Sequence, residues 1–124
     1  MIATLGTEPV GLLTYAVRDG ACEVVTLDSF AERRGVGSAL LEAVREVAAA
    51  AGCERLWLST TNDNLAALRF YQRRGWDLVA LHRDVVAQWR RSKPVIPERG
   101  RDEIPLRHAL ELELRLPRGT QHER

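Results

Sequence analysis

The stretch ERRGVGSALLEAVREVAAAAG, residues 32–52, places two arginines and two glycines directly before an amphipathic helix. The helix is predicted because apolar residues recur at spacings of three and four, and Gly52 is a typical C-terminal cap. The first N–H groups of a helix have no acceptor within it and carry the positive end of the helix dipole, so this junction is a candidate phosphate site. Gly35 and Gly37 would let a ligand approach the backbone closely. The apolar positions are Val36, Leu40, Leu41, Val44, Val47, Ala48 and Ala51.

Strands and a second helix are predicted around this junction. Residues 10–30 form two apolar runs around Asp19-Gly20, a dipeptide typical of β-hairpins. The other elements follow from apolar periodicity and from helix start and stop signals. They are a strand remnant at Ile2–Leu5, a buried strand at Arg55–Thr61, a helix that begins at Asp63 or Asn64 and ends at Gly75, and a strand over residues 76–82.

The last third of the chain divides into an irregular insert and a final strand. Residues 83–108 contain several prolines, which predicts an irregular connection that opens with a short helix around Val85–Arg91. Residues 109–116 alternate in polarity, which predicts a strand with leucines facing inward and charges facing outward. The leucines are Leu110, Leu112, Leu114 and Leu116, and the charged residues are Glu111, Glu113 and Arg115.

This order of elements predicts a single α+β domain over residues 1–124, with a mixed, mostly antiparallel sheet flanked by helices. The 45% apolar and 28% charged residues are ordinary for a globular protein, and the net charge of +1 argues against nucleic acid as a partner. Cys22 and Cys53 are expected to be buried, reduced thiols, since a domain of this size folds without a disulfide. Because no membrane-length apolar run or leader segment is present, we expect a cytoplasmic protein that does not bind a membrane.

The glycine-rich junction lacks a Walker loop and matches a dinucleotide-binding fingerprint only weakly. A Walker loop requires a lysine after its glycines, and the chain has one lysine, Lys93. A dinucleotide fingerprint requires a third small residue, and Leu40 occupies that position. The motif alone also fits a loop that binds no ligand. In that interpretation the glycines only relieve crowding at the turn, and the arginines are solvated.

The second predicted helix carries an independent signal. Asn64, Ala67 and Tyr71 lie at positions i, i+3 and i+7, which share one face of a helix. Together with RRGVGSALL upstream, the segment NLAALRFYQRRGW resembles the GCN5-related N-acetyltransferase (GNAT) superfamily. In that superfamily the acetyl-CoA loop reads Q/R-x-x-G-x-G/A and the next helix reads N-x-x-A-x-x-x-Y-x-x-x-G-F. The resemblance covers about residues 9–82, and the later segments KPVIP and EIPLRHALELEL look like a bacterial subgroup.

The resemblance implies direct transfer of an acetyl group from acetyl-CoA, as co-substrate, to an amine. Backbone N–H groups from Arg34 to Ser38 would hold the coenzyme pyrophosphate. A strand bulge around Val25 to Leu27 would present backbone groups to the pantetheine arm and the thioester carbonyl, and Asn64 would hydrogen-bond the pantetheine. The implied acetyl-CoA-binding residues are Val25, Thr26, Leu27, Arg33, Arg34, Gly35, Val36, Gly37, Ser38, Asn64, Ala67 and Tyr71.

The resemblance also implies that Tyr71 lies near the sulfur of the thioester. A phenol has a pKa of about 10, so it can donate a proton to the leaving thiolate while staying neutral at pH 7. A core tyrosine with its hydroxyl at the surface is the alternative. Glu23 and Asp28 flank the presumed bulge and are candidate general bases, although ordinary solvent-facing carboxylates fit the sequence equally well.

The chain departs from the family pattern near the glycine loop and at the N-terminus. Glu32 stands where the family has Gln or Arg, and a carboxylate beside phosphates would weaken coenzyme binding unless Arg33 or Arg34 compensates. The usual first strand and two helices are missing before Pro9. Either the chain starts late, or the acceptor pocket is completed by the insert at 83–108 or by another subunit. An unpaired sheet edge would favour a homodimer.

Several residue groups have more than one interpretation. The arginines of the second helix form either a solvated face or a contact to the adenosine 3′-phosphate, and the basic excess of the insert would either attract an anionic acceptor or be solvated. No metal site is predicted, because the histidines have no clustered partners. The arginines are Arg69, Arg73 and Arg74, and the histidines are His82, His108 and His122.

The predicted function is thus an N-acetyltransferase whose acceptor is the amine of an unidentified small molecule or peptide. The main alternative is a coenzyme-A-binding regulatory module without turnover, which the missing acceptor wall favours. A nucleic-acid-associated role for the basic residues of the insert would require salt-dependent binding to DNA or RNA.

Overall fold

Six strands and three α-helices make up the regular structure of the computed structural model, which describes residues 1–5, 8–29 and 35–117. The strands are β1 (Ile2–Leu5), β2 (Glu8–Arg18), β3 (Ala21–Ser29), β4 (Arg55–Thr61), β5 (Asp77–His82) and β6 (Ala109–Arg115), and the α-helices are α1 (Val36–Ala50), α2 (Leu65–Arg73) and α3 (Val85–Ser92). The strands form a mostly antiparallel sheet of order β1-β2-β3-β4-β6-β5, so the predicted mixed α+β class is confirmed. The described chain divides into two compact units, residues 1–57 with 115–117, and residues 58–114.

The first unit contains the predicted β-hairpin. Asp19 and Gly20 have φ values of 54° and 76°, and two consecutive positive φ values match the type I′ turn that the Asp-Gly pair favours. On either side, β2 and β3 pair antiparallel from Gly11 opposite Ser29 to Arg18 opposite Ala21. The hairpin is therefore confirmed, and β1 pairs antiparallel with β2, as the strand remnant suggested.

Helix α1 packs on one face of this hairpin. Gly11 allows the close approach, because a Cβ atom there would contact Val36 Cγ1 and would lie 3.0 Å from Leu40 Cδ1. The buried side of α1 follows the predicted spacing, and Gly52, with φ 79°, follows its C-terminal end. The buried residues of α1 are Val36, Leu40, Leu41, Val44 and Ala48.

Both cysteines belong to the first unit. Cys22 and Cys53 are buried and free. Burial raises the pKa of the Cys22 thiol, and the neighbouring Cys53 raises it further. The expectation of buried thiols in the core is therefore confirmed. A raised pKa also disfavours the reactive thiolate form of Cys22.

The second unit contains α2, β5, α3 and most of β6. Asn64 is the N-cap of α2, and Gly75, with φ 90°, follows its C-terminal end, as predicted. Helix α3 matches the short helix predicted at the start of the insert. The core of this unit includes Trp76, Val86 and Leu112, which are buried. Among the described residues, no helix has the length and apolar character needed to cross a membrane.

The two contrasting faces predicted for β6 are only partly present. Leu112 and Leu116 are buried as expected, but Leu110 and Leu114 are half-buried. The prediction is wrong for Glu111, whose side chain is only 17% exposed and whose Oε1 lies 3.4 Å from His82 Nε2. The reason is that β6 lies between two other strands, so neighbouring side chains shield both of its faces.

Candidate functional site

The N-terminal end of α1 has the features of an anion site. Its N-cap is Gly35, in the left-handed region with φ 68° and ψ 20°, and no side chain of the described residues caps the helix there. Among the described residues, no atom lies within 4 Å of the position that a Cβ at Gly35 would occupy. By helix geometry, the N–H groups of Val36 and Gly37 have no acceptor one turn earlier within the helix. This end of α1 can therefore donate hydrogen bonds to a ligand, and the helix dipole favours an anion.

The predicted pyrophosphate residues are only partly described. Arg33, Arg34 and the unusual Glu32 lie outside the described residues. The Val36 side chain is buried in the core, so only its N–H group is available for the predicted role, while Gly37 and Ser38 are half-buried.

The bulge predicted on β3 is present at Val25. The register pairs Tyr15 with Val24 and Thr14 with Thr26, which leaves Val25 without a partner on β2. Val25 is 54% exposed. The Thr26 Oγ1 atom lies 2.7 Å from Thr14 Oγ1, so this side chain is already engaged with β2 and only its backbone remains for a ligand.

The bulge lies just beyond the pairing of β3 with β4. In the described register these strands run parallel from Ala21 opposite Arg55 to Glu23 opposite Trp57, whereas β3 continues to Ser29. The bulge is therefore outside the part of the β3–β4 ladder that the structure describes. Because buried backbone N–H and C=O groups need partners, a ligand that carries amides can add to such an edge.

The two candidate bases lie on one face of β3. Glu23 is opposite Ala16 and Asp28 is opposite Leu12, and these β2 residues are an even number of positions apart. Successive residues of a strand alternate between faces, so Glu23 and Asp28 flank the bulge on the same side of the sheet. Glu23 is half-buried and Asp28 is exposed.

Asn64 in the second unit is already used to cap α2. Its Oδ1 accepts a hydrogen bond from the Ala67 N–H at 3.1 Å, and its Nδ2 donates to Thr60 Oγ1 at 3.1 Å. The structure thus brings together Asn64 and Ala67, two residues predicted to contact the coenzyme. The second hydrogen of Nδ2 has no acceptor among the described residues and can serve the predicted pantetheine contact.

Tyr71 is the buried residue of α2. It is 7% exposed, and its ring centroid lies 5.1 Å from the centroids of Phe70 and Trp76. Burial raises the pKa of Tyr71 to about 12, although the charge of Arg74 opposes the shift. In the described part of the chain, the hydroxyl has no hydrogen-bond partner. A neutral phenol of this kind can act as a proton donor and not as a base near pH 7.

The arginines of α2 line a groove on a different part of the helix surface. Arg69, Arg73 and Arg74, with Ala66 and Phe70, surround a groove of ≈ 550 Å³. The Arg74 guanidinium stacks 3.7 Å from the centre of the Phe70 ring and donates to the Phe70 carbonyl at 3.0 Å. Both interpretations of these arginines remain predictions.

Sequence reasoning missed two residues that hold the insert in place. Asn62 Oδ1 accepts the N–H groups of Arg107 and His108 at 3.0 and 2.8 Å, and its Nδ2 donates to the Pro105 carbonyl at 2.9 Å. Asp63 is 3% exposed, and its Oδ2 accepts from the Arg101 N–H at 2.9 Å and from Arg101 Nη1 at 3.2 Å. The polar run TTNDN, which precedes α2, was the only sequence feature that could have indicated that Asn62 and Asp63 bind another segment.

Most cations of the insert are engaged within the second unit. Arg90 donates to the carbonyls of Ile96, Pro97 and Leu106 at 3.0, 2.8 and 3.2 Å. Arg107 Nη2 lies 2.9 Å from Asp84 Oδ1. These contacts help to organise the insert, and both interpretations of its basic residues remain predictions.

Removal of the Asp63 carboxylate is expected to release the insert. In Asp63→Ala, the Arg101 N–H loses its acceptor, and charge-assisted hydrogen bonds of this kind contribute about 1.5–3 kcal/mol. We expect trypsin cleavage after Arg99 and Arg101 to accelerate at least about tenfold, because cleavage tracks local opening. Limited proteolysis with mass spectrometry measures this rate.

The matched control for this experiment is Asp77→Ala, which removes an exposed carboxylate of the same unit. Burial pushes the pKa of Asp63 upward, but hydrogen bonds from Thr61 and from the Arg101 N–H, with the charge of Arg101, hold it below its usual value. Its stabilising effect is therefore present above about pH 4 and is lost as the pH falls further. Equal cleavage of wild type and Asp63→Ala at pH 7 would show that other contacts hold the insert.

The histidines have local structural contacts. His82 lies beside Glu111, and His108 Nδ1 accepts the Asp84 N–H at 2.9 Å. His122 lies outside the described residues. Within residues 1–5, 8–29 and 35–117, no group of three His, Cys, Asp or Glu side chains could hold a metal ion.

Comparison with known proteins identifies the family behind this geometry. A family model described as the acetyltransferase (GNAT) family matches residues 1–76. The chain belongs to this family. YdhI of Bacillus subtilis (strain 168), described as uncharacterized, is 44% identical over 100 residues, which are 81% of this chain and 62% of YdhI. The chain therefore spans less than two thirds of the length of this relative.

Solved structures share the GNAT fold. A Bacillus subtilis acetyltransferase in complex with CoA superposes with a TM-score of 0.81 at 22% identity, over 94% of this chain and 75% of that chain. A GNAT family acetyltransferase from Elizabethkingia anophelis with acetyl-CoA bound has a TM-score of 0.80 at 18% identity, over 93% and 74% of the two chains. At these identities the likeness shows the fold alone.

Proposed function

We propose that this GNAT protein is an N-acetyltransferase that moves the acetyl group of acetyl-CoA directly to an amine. The observation that carries the proposal is the bulge at Val25, on a strand whose described pairing with β4 ends at Glu23. Backbone N–H and C=O groups released from a ladder can pair with the amides of a pantetheine arm, and an N–H can stabilise the oxyanion of the reacting thioester.

The start of α1 supports the same assignment, because it belongs to the same unit and its N-cap, Gly35, has no side chain to occupy the helix end. A pyrophosphate there would accept hydrogen bonds from N–H groups between Gly35 and Ser38 and would gain from the helix dipole. Arg33 and Arg34 remain proposed contributors to its binding. Asn64 and Ala67 remain proposed neighbours of the pantetheine.

In the proposed reaction, a neutral acceptor amine attacks the thioester carbonyl. The C–N bond forms, the C–S bond breaks, and the departing thiolate takes a proton from the Tyr71 hydroxyl. The amine loses a proton to Glu23 or Asp28, directly or through water. The Tyr71 hydroxyl is protonated at neutral pH and can therefore donate to the departing sulfur, although burial raises its pKa to about 12 and makes it a weaker acid than an exposed phenol.

The acceptor is proposed to be an amine of a small molecule or a peptide. The proposed compartment of the protein is the cytoplasm, because free, buried thiols such as Cys22 and Cys53 suit a reducing environment.

A thermal-shift titration with acetyl-CoA tests the donor site directly. A ligand that binds only the folded state stabilises it by about 2.7 kcal/mol at one hundred times its Kd, which is a Tm increase of about 10 °C for a domain of this size. Pantetheine, which lacks the pyrophosphate, is the control and should give a much smaller shift. An unchanged Tm at saturating acetyl-CoA would refute the donor site. Once binding is established, an assay of thiol release with a panel of amines and peptides identifies the acceptor.

A further inference from the structure

Glu23 lies on the face of the sheet opposite α1. Helix α1 packs at Gly11 of β2, and Gly11 shares its face of the strand with Val17, an even number of positions later. Val17 lies opposite Cys22 on β3. Successive residues of a strand alternate between faces, so the next residue, Glu23, projects away from α1.

Trp57 of β4 lies directly beside Glu23 on this face. The two residues are partners in the parallel register, and neighbouring strands of a sheet are about 4.8 Å apart. Both side chains are half-buried, whereas the preceding pair of the register, Cys22 and Leu56, is 0% exposed on the α1 side. A carboxylate and an indole ring are therefore adjacent within the first unit.

The polar groups of this pair have no partners of their own. Among the described residues, neither the Glu23 carboxylate nor the indole N–H of Trp57 forms a hydrogen bond, and Glu23 has no ion pair. The Trp57 ring does interact with a cation, since the Arg55 Cζ atom lies 5.4 Å from its centroid. A second cation, placed between the ring and the Glu23 carboxylate, would gain a π contact and a charge-assisted hydrogen bond.

The position of the pair suits the acceptor of the proposed reaction. The bulge at Val25 is two residues beyond Glu23 on β3, so the pair is next to the backbone proposed to hold the thioester. An alkylamine has a pKa of about 10 and reaches the protein as an ammonium at pH 7. The bound ammonium must give one proton to water before it attacks as the neutral amine. A carboxylate next to the amine would lie close to Glu23, where like charges repel.

We propose that Trp57 and Glu23 bind the acceptor as an alkylammonium and select against amines that carry an adjacent carboxylate, such as free α-amino acids. The proposal rests on the proposed N-acetyltransferase function and adds Trp57 as a residue that determines acceptor specificity. The ammonium donates to the Glu23 carboxylate, and its alkyl chain packs against the indole ring.

An NMR titration of the Trp57 indole N–H tests this site without any turnover. The signal is assigned by its loss in Trp57→Phe, and the wild type is titrated at pH 7 with and without CoA. The three probes share a five-carbon chain. They are n-pentylammonium, the uncharged pentan-1-ol, and L-norleucine, which is pentylammonium with an adjacent carboxylate. The indole signals of Trp76 and Trp89 are internal controls and should not respond to the probes.

We expect n-pentylammonium to shift the Trp57 signal with a Kd at least about tenfold lower than that of either other probe, because it alone combines a full positive charge with no neighbouring anion. A Trp57 signal that responds to none of the probes, whether or not CoA is present, would overturn the proposal. Equal Kd values for n-pentylammonium and either other probe would overturn it as well.

Glu23→Gln tests the carboxylate separately. Glutamine keeps the size of the side chain and removes its charge, so we expect the Kd for n-pentylammonium to rise at least about tenfold while the Kd for pentan-1-ol is unchanged. Glu46→Gln is the control, because Glu46 is exposed on α1, on the other side of the sheet, and its removal should leave both Kd values unchanged. An unchanged Kd for n-pentylammonium in Glu23→Gln would contradict the proposed site.

Failure of this site is distinguishable from failure of the proposed function. A selective Trp57 response, combined with no Tm increase by acetyl-CoA, would refute acetyl transfer and support the ammonium site. A Tm increase with thiol release, combined with a Trp57 signal that does not discriminate between the probes, would support acetyl transfer and refute the ammonium site.

Discussion

Tyr71→Phe is expected to lower kcat about a hundredfold or more while the Kd for acetyl-CoA stays within about twofold. General acid catalysis contributes roughly 10²–10⁴ in rate, and only the hydroxyl is removed. The leaving thiolate would then have to depart without a proton from the protein. Steady-state kinetics and a binding titration separate these two effects.

The structure makes this substitution a clean test. The Tyr71 ring packs against Phe70 and Trp76, and phenylalanine keeps both contacts. The hydroxyl has no hydrogen-bond partner in the described part of the chain, so its removal leaves no buried group unsatisfied. Tyr15→Phe is the matched control, because Tyr15 is the other tyrosine and lies exposed on β2.

The pH dependence gives a second readout of the same prediction. Burial raises the pKa of Tyr71 to about 12. The folded protein therefore holds this proton between pH 10 and 12 where the unfolded chain releases it, so the stabilisation is complete below pH 10 and is lost as the pH rises toward 12. Alkaline unfolding should be less steep in Tyr71→Phe. An unchanged kcat in this variant would contradict the proton-donor role, and a wild type that binds acetyl-CoA without turnover on any amine would favour the regulatory alternative.

The sequence predicted well those parts of the fold that depend on residues close together in the chain. The Asp19-Gly20 turn needs only two positive φ values, which this dipeptide adopts readily, and α1 needs only its apolar spacing. The strand at Arg55–Thr61 was predicted with the bounds that the structure shows. Local signals of this kind do not depend on the rest of the chain.

The contacts that hold the insert could not be predicted from the sequence, because they join residues that are far apart in the chain. Asn62 and Asp63 hold residues that lie 38 to 46 positions away, and Arg90 binds three carbonyls through its guanidinium. No periodicity records such hydrogen bonds. The basic composition of the insert alone therefore did not indicate that Arg90, Arg101 and Arg107 hold it together.

The candidate site shows the same division between local and distant information. The bulge at Val25 was expected from a family resemblance, since no residue pattern marks it, and the register confirms it. Asn64 was assigned to the coenzyme, whereas the structure also gives it the N-cap of α2. One side chain can serve both purposes, because a cap uses Oδ1 and leaves an Nδ2 hydrogen for a ligand.

Gly37→Glu is expected to weaken acetyl-CoA binding about a hundredfold or more. Gly37 is the second residue of α1, within the turn whose N–H groups are proposed to hold the pyrophosphate. A carboxylate about 5 Å from one phosphate charge costs about 3 kcal/mol at an effective dielectric constant near 20, which corresponds to more than a hundredfold in affinity. Isothermal titration calorimetry measures the loss.

The same substitution should leave the fold intact, which separates a binding defect from unfolding. Glutamate has a higher helix propensity than glycine, and a negative charge in the first turn interacts favourably with the helix dipole, so the free energy of unfolding should stay equal or rise. Ala49→Glu, an exposed position at the other end of α1, adds the same charge away from the site and should bind acetyl-CoA as wild type does. Unchanged affinity in Gly37→Glu would mean that the pyrophosphate does not bind at this helix end. Weaker binding with undiminished stability is the result that only a ligand at the start of α1 explains.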